Sequence, residues 1–259
     1  MAEIHPTAIV HPEAVLGEGV VIAPYAIIGK HVQIGDNTEV MAHAVIDGRS
    51  TIGKNNIIYP SASIGMPAQD LKYKGEPTKL TIGDNNHIRE LSTIHLSATL
   101  DMDTVVGSNN LIMAYAHVAH NCQIGNNVVL ANAVNLAGYV QVHDYAIVGG
   151  VTAVLQFVKI GAYAFVGGAS GLKKDVPPYT RGQGMHRYII AGINSVGLSR
   201  KGFTTEQIEA IKAMYKVFYR SKMNVTQAIE YAGNMVGLTE EQVVFLEFCK
   251  NSVRGISKN

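Results

Sequence analysis

The sequence predicts a mainly β fold: a parallel β-helix of hexapeptide repeats followed by a small C-terminal α-helical domain. Three observations carry this. An aliphatic residue recurs at every sixth position for about 170 residues, a glycine or polar pair commonly follows it, and near residue 178 the period gives way to helix-start signals.

The period starts at Ile4 and steps through Val10, Leu16, Ile22, Ile28, Ile34, Val40, Ile46, Ile52, Ile58 and Ile64. Each aliphatic is expected to point inward from a short strand. Gly17, Gly29, Gly35 and Gly53 are expected to turn corners without steric penalty, and a small residue such as Ala8, Ala26, Ala44 or Ala62 stands four positions on. Three flat strands closing a triangular coil use about eighteen residues, and coils stack at the parallel-strand spacing of roughly 4.8 Å. Stacking buries a column of Ile, Val and Leu that one coil could not bury alone. The repeat resembles that of the left-handed parallel β-helix proteins. The left hand is what this resemblance implies, since the general preference for right-handed crossovers points the other way.

Asp70 and Glu76 then fall where aliphatics belong, so a polar excursion is expected at about 70–81. Long loops in compact domains are usually functional, although bracing a neighbouring subunit is the plainer role. The phase resumes at Ile82, Ile88, Ile94, Leu100, Val106, Ile112 and Val118 and runs on to Val166 and Leu172. After Asp175-Val-Pro-Pro-Tyr179 it stops, dividing the chain into a prism over 1–178 and a helical domain over 179–259. Thr204-Thr-Glu-Gln207 reads as a capping box ahead of Ile208, Ile211, Tyr215 and Phe218 at helical spacing. A second helix is expected from near Asn224, and a third from Thr239-Glu-Glu-Gln242 to about Arg254-Gly255. The flat faces of such a prism favour oligomerisation.

Apolar residues make up 47% of the chain, enough to bury a substantial core. No apolar run is long enough to span a membrane, and no basic-then-apolar segment opens the chain, so a cytoplasmic protein is expected. Cys122 and Cys249 make no disulfide or metal framework, which suits a reducing compartment. The net charge of +1 hides an asymmetry: residues 1–172 hold 8 Lys/Arg against 13 Asp/Glu, and residues 173–259 hold 13 against 7. A basic C-terminal part reads either as a surface for an anionic partner or as a solvated helical surface.

Stacking places His120 beside Gly138 in one column, with Gln156 next. His117 lies across a corner of the same coil and His95 about one coil below. Histidine is the natural base near neutral pH, and a glycine N–H free of side-chain obstruction suits an oxyanion. Two other readings stay open: a zinc site made by the three histidines, or a satisfied, non-catalytic cluster. His5, His11, His31 and His43 occupy ordinary repeat positions and read as surface residues.

Several segments resemble the bacterial UDP-N-acetylglucosamine acyltransferases of lipid A biosynthesis, and the likeness covers nearly the whole chain. They are Gln69-Asp-Leu-Lys-Tyr-Lys-Gly-Glu-Pro-Thr78, Ile88-Arg-Glu90 with Thr93-Ile-His95, Ala116-His-Val-Ala-His120, Leu136-Ala-Gly138, Lys174-Asp-Val-Pro-Pro-Tyr179, Gly202-Phe203 and Arg254-Gly-Ile256. The repeat is shared by many acyltransferases; the loop together with Ala-His-Val-Ala-His is much more specific. The resemblance implies a homotrimer with active sites between neighbouring prisms. It implies transfer of a 3-hydroxyacyl chain from the phosphopantetheine of acyl carrier protein to the sugar 3-OH of UDP-N-acetylglucosamine, with no further cofactor, no metal and no nucleic acid. Matching positions make His120 the general base and the Gly138 amide the oxyanion donor, with Asp70, Lys72, His95 and His117 contacting substrate. Gln156, Asn194, Arg200 and Lys201 match positions near the nucleotide, where Arg and Lys suit a diphosphate. Gly168 matches the floor of the acyl pocket, and a glycine there implies a fairly long chain. The basic C-terminal part fits the acidic carrier protein.

The departures cluster at the site. Asn121 stands where the family has an aspartate after the base, Tyr139 and Leu155 where it has histidines, and Val196 where it commonly has an acidic residue. Leu96-Ser97-Ala98-Thr99 replaces the usual segment after His95, and Gly184-Met-His-Arg187 replaces a Gly-Asn-Pro-like turn. Three readings follow: ordinary O-acylation with altered surroundings, N-acylation of the 3-amino sugar analogue, or a non-catalytic paralogue that binds the sugar nucleotide.

Overall fold

The computed structural model describes residues 1–258. Within them, short strands build three sheets of eleven, nine and eight strands, all parallel except the last strand of the first sheet. Successive strands fall on the first, second and third face in turn. Glu3–Ile4, Ile9–Val10 and Val15–Leu16 make the lowest coil, and Ile4 pairs with Ile22 one coil up. The aliphatic column fills the prism: Ile22, Ile28, Ile46, Ile58, Ile88, Ile112 and Val148 are buried, whereas Ile4 is 46% exposed because no coil stacks beneath it.

The corners turn differently from expectation. Gly35 keeps ordinary backbone, and it is needed because a Cβ there would come within 2.7 Å of the Gly53 carbonyl carbon on the next coil. The left-handed residue comes two positions later and is Asn37, Asn55, Asn109 or Asn127, or even Tyr139, Tyr145 and Val151. Asn adopts this region most readily, while a β-branched Val persists there only because the stacked coils over-determine it.

Two excursions interrupt the prism. The first ends earlier than expected, since Lys79–Ile82 is already paired with Arg49–Ile52 on the third face. It lengthens one coil, so that Ile58 pairs with Ile88. The second was hidden in the repeat. Leu100, expected inside, is 66% exposed. The chain leaves the second face after His95 and rejoins the third at Thr104–Val106, and Ile88 pairs with Ile112. The extra stretch is one hexad long, so the aliphatic phase passes through it unbroken. Both excursions sit at the corner between the second and third faces.

Above Leu172, strands Thr180–Gln183 and Ile189–Ile193 form an antiparallel pair that extends the first face, which the periodicity did not anticipate. Four helices follow: α1 (Ser195–Arg200), α2 (Thr205–Tyr219), α3 (Val225–Gly233) and α4 (Glu240–Lys250). Both capping boxes are formed, by Thr204 with Gln207 and by Thr239 with Gln242, and Asn224 caps α3 likewise with Gln227. Helix α4 stops at Lys250, short of the expected Arg254–Gly255, because the chain turns to bind the prism. The Asp175 N–H donates to the Gly255 carbonyl (2.9 Å), and the Ser257 N–H donates to the Asp175 carbonyl (2.7 Å). The buried Asp175 carboxylate accepts from the Lys159 N–H (2.8 Å) and the Ser252 hydroxyl (2.6 Å), pinning the helices to the coils. Phe218, Phe245, Ile211 and Met214 form the helical core. No helix among the described residues is long and apolar enough to cross a membrane.

Candidate active site

His120 follows the strand His117–Val118 and turns the corner between the second and third faces, only 5% exposed. Its ring lies across Gly138, one coil up. A Cβ at position 138 would sit 2.6 Å from Nε2 and 3.0 Å from Nδ1. Only glycine leaves room for the ring. The Gly138 carbonyl accepts from the Phe157 N–H (3.2 Å), while its own N–H has no protein acceptor among the described residues. An unpaired backbone donor beside a histidine is the arrangement that an oxyanion requires.

The two edges of the His120 ring meet different partners. Nδ1 lies 3.0 Å from Asn121 Oδ1. Nε2 lies 3.8 Å from Asp70 Oδ2, which the first excursion carries to the corner. The loop is shaped locally: Asp70 Oδ1 accepts from the Lys72 N–H (2.8 Å), and the Tyr73 hydroxyl donates to the Glu76 carbonyl (3.0 Å). Gln69, Asp70 and Lys72 with His117, His120, Gly138 and Gln156 line an open groove of about 490 Å³.

His95 and His117 meet edge to face, with ring centroids 5.0 Å apart. His117 Nδ1 pairs with Thr93 Oγ1 at 2.7 Å, and His95 Nδ1 is buried without a partner. Burial, with neighbouring His95 and His120 adding to it, pushes the His117 imidazole down to about 4. Burial first and the His120 charge second also lower His95, partly opposed by the Pro67 carbonyl. Both therefore stand as neutral rings at neutral pH. Among the described residues no three His, Cys, Asp or Glu side chains are arranged to hold a metal ion.

A second groove, of about 420 Å³, continues along the second face from His117 and Ala137 past Ala153 and Leu155 to Leu172 and Lys173. Its lining is almost wholly apolar. Beyond it lies a basic cavity of about 320 Å³ bounded by Lys173, Lys174, His186, Arg187 and Lys258.

The remaining sequence candidates stand elsewhere on this chain. Asn194 caps α1, accepting from the Gly197 N–H (3.2 Å) and donating to the Tyr163 carbonyl (3.0 Å). Lys201 Nζ lies 5.0 Å from the centroid of the Tyr145 ring, which stacks on Tyr163. With Arg200 at the end of α1, these residues occupy the corner between the third and first faces. Gly168 is exposed at the corner between the first and second faces. One chain thus gathers Asp70, Lys72, His95, His117, His120, Gly138 and Gln156, but not Asn194, Arg200, Lys201 or Gly168. Sequence reasoning missed the Asn121 partners Ala98, Thr99, Met102 and Thr104. They lie in or beside the hexad counted as a repeat; the departure at Leu96-Ser97-Ala98-Thr99 and the polar run Thr99-Leu-Asp-Met-Asp103 were the signals that could have found them.

A family model described as UDP-N-acetylglucosamine O-acyltransferase, domain 2, matches residues 175–257, and one for bacterial transferase hexapeptide repeats matches 103–138. The chain is 48% identical over 259 residues to the acyl-[acyl-carrier-protein]–UDP-N-acetylglucosamine O-acyltransferase of Thermodesulfovibrio yellowstonii, covering all of both chains. It is 50% identical over 260 residues to the enzyme of the same name from Chlamydia caviae, covering all of this chain and 92% of that one. The solved UDP-N-acetylglucosamine acyltransferase of Francisella novicida superposes with a TM-score of 0.95 at 40% identity, over 99% of this chain and 94% of that one.

Proposed function

The chain belongs to the UDP-N-acetylglucosamine O-acyltransferase family, and on that premise we propose that it moves a 3-hydroxyacyl chain from acyl carrier protein to the 3-hydroxyl of UDP-N-acetylglucosamine. One observation carries the reading: the His120 ring is seated across Gly138, with Asp70 near Nε2, where a groove that also holds Lys72 and Gln156 meets an apolar one.

Nε2 takes the proton of the sugar 3-hydroxyl as that oxygen attacks the thioester carbonyl. The charge developing on the carbonyl oxygen is stabilised by the Gly138 N–H. Collapse breaks the carbon–sulfur bond, and the departing phosphopantetheine thiolate takes the proton back from the imidazolium. Neutral His95 and His117 line the acceptor side without adding positive charge that would disfavour protonation of His120. The acyl chain lies along Ala137, Ala153, Leu155 and Leu172. The basic cavity around Lys173, Lys174 and Arg187, where this groove ends, receives the acidic carrier protein.

The nucleotide is held between chains. Asn194, Arg200 and Lys201 on one corner and Gly168 on another can join a His120 groove only when neighbouring prisms pack together, which supports a homotrimer. Arg200 and Lys201 then supply the cations for the diphosphate.

The test is transfer by the wild-type protein and His120→Ala, with UDP-N-acetylglucosamine or its 3-amino analogue as acceptor and a panel of acyl carrier protein thioesters as donors. His120→Ala is expected to remove O-acyl transfer, with its mass in solution unchanged. Retained activity overturns the base assignment, and transfer to the amine alone overturns the acceptor.

A further inference from the structure

Asn121 is buried and uses every polar atom of its side chain. Its Nδ2 donates to the Met102 carbonyl at 2.7 Å and to Thr99 Oγ1 at 3.0 Å. Its Oδ1 accepts from the Ala98 N–H at 3.0 Å and faces His120 Nδ1 at 3.0 Å. The backbone N–H of Asn121 donates to Thr104 Oγ1 at 2.8 Å, holding the residue in its left-handed conformation. Two of these partners are backbone groups, which cannot exchange donor for acceptor. A flipped amide would set oxygen against the Met102 carbonyl and nitrogen against the Ala98 N–H. The oxygen must therefore face His120, and Nδ1 must carry the proton. A neutral imidazole has one N–H, so the Nε2 lone pair is free.

We propose that Asn121 is a positioning residue that locks His120 in the Nδ1–H tautomer, and that the second excursion, through the Met102 carbonyl, requires an amide there in place of a carboxylate. The inference rests on His120 being the base. An aspartate at 121 would press a carboxylate oxygen against the Met102 carbonyl in a buried site, with no donor between them. The base in this chain is thus oriented by an uncharged partner. The charged and titratable groups facing its ring are Asp70 on the Nε2 side, His95, His117 and Tyr139, with Lys72 at the groove mouth.

The primary test is ¹⁵N NMR of the full-length oligomer with labelled histidine, His120 being assigned by comparison with His120→Gln. Wild type is expected to show a protonated Nδ1 and a bare Nε2 in the neutral ring. The opposite assignment overturns the proposal, and because no turnover is needed, it does so independently of the proposed reaction. In steady-state assays Asn121→Ala is expected to lower kcat about tenfold or more, with the acceptor KM within about twofold, because a freed ring spends time in the wrong tautomer. Asn121→Asp is expected to lower both kcat and Tm, and to move the acid limb of kcat/KM to higher pH. Full activity at an unchanged Tm in Asn121→Asp overturns the requirement for an amide. Activity surviving in His120→Ala instead overturns the reading of the base, leaving the tautomer measurement standing.

Discussion

Replacing Gly138 with alanine puts a methyl group where the His120 ring now lies. Gly138 is not among the residues with positive φ, so the backbone accepts alanine and the whole cost falls on the contact. The new Cβ would stand 2.6 Å from Nε2 and 3.0 Å from Nδ1, and carbon–nitrogen contacts settle near 3.5 Å, so the ring must retreat by about 1 Å. A displacement of about that size at a reacting group costs on the order of 10²-fold in rate, or about 2.7 kcal/mol in the barrier. The fold loses far less, at most the Nδ1–Asn121 hydrogen bond, worth about 1 kcal/mol. The assay is single-turnover acyl transfer read by mass spectrometry, beside thermal unfolding of the same preparation. A rate within twofold of wild type would refute the seating of His120 over Gly138 or its part in the chemistry.

Other perturbations separate the remaining roles. Burial lowers His117 to about 4 and also lowers His95, so the unfolded chain binds protons first as pH falls. The stability that neutral His117 contributes is present above about 6.5 and is lost on the way down to about 4, and that of His95 is lost in the same direction. His117→Gln should flatten that fall in Tm, and an unchanged slope would assign it to other groups. Gly168→Met should shift donor preference toward shorter chains, each methylene excluded being worth about 0.8 kcal/mol, as read by competition between thioesters. An unchanged preference would remove Gly168 from the acyl pocket. Reversing Lys173, Lys174 and Arg187 to Glu should raise the KM for acyl carrier protein and weaken its salt dependence, leaving the UDP-sugar KM alone. A rise in the sugar KM instead would place the nucleotide there.

The prism was legible because one physical demand, an inward aliphatic at each strand, repeats without exception from Ile4 to Ile64. The capping boxes at Thr204 and Thr239 were legible because a local side-chain pattern satisfies a local backbone need. The strand pair over Thr180–Gln183 and Ile189–Ile193 was not, since it borrows its pairing from Phe165–Val166 and carries no period of its own. The excursion through Leu100 was invisible for the opposite reason: its length matches the period. The corner glycines were visible, but their cause was misassigned, because close approach of coils and left-handed backbone both select small or polar residues near a turn. His120 and Gly138 followed from stacking arithmetic; the distribution of Asn194, Arg200 and Gly168 over other corners depends on where the helices dock.

The two excursions and His120 share one corner, one above another. The lower loop brings Asp70 to the Nε2 edge of the imidazole, and the upper one brings Ala98, Thr99 and Met102 to the amide behind its Nδ1 edge. Each loop adds whole hexads, so the coils above keep the aliphatic phase. The reactive edge and the supporting edge of a single side chain are therefore set by two separate segments of chain. The scaffold between them, His120 on its corner and Gly138 one coil up, belongs to neither loop.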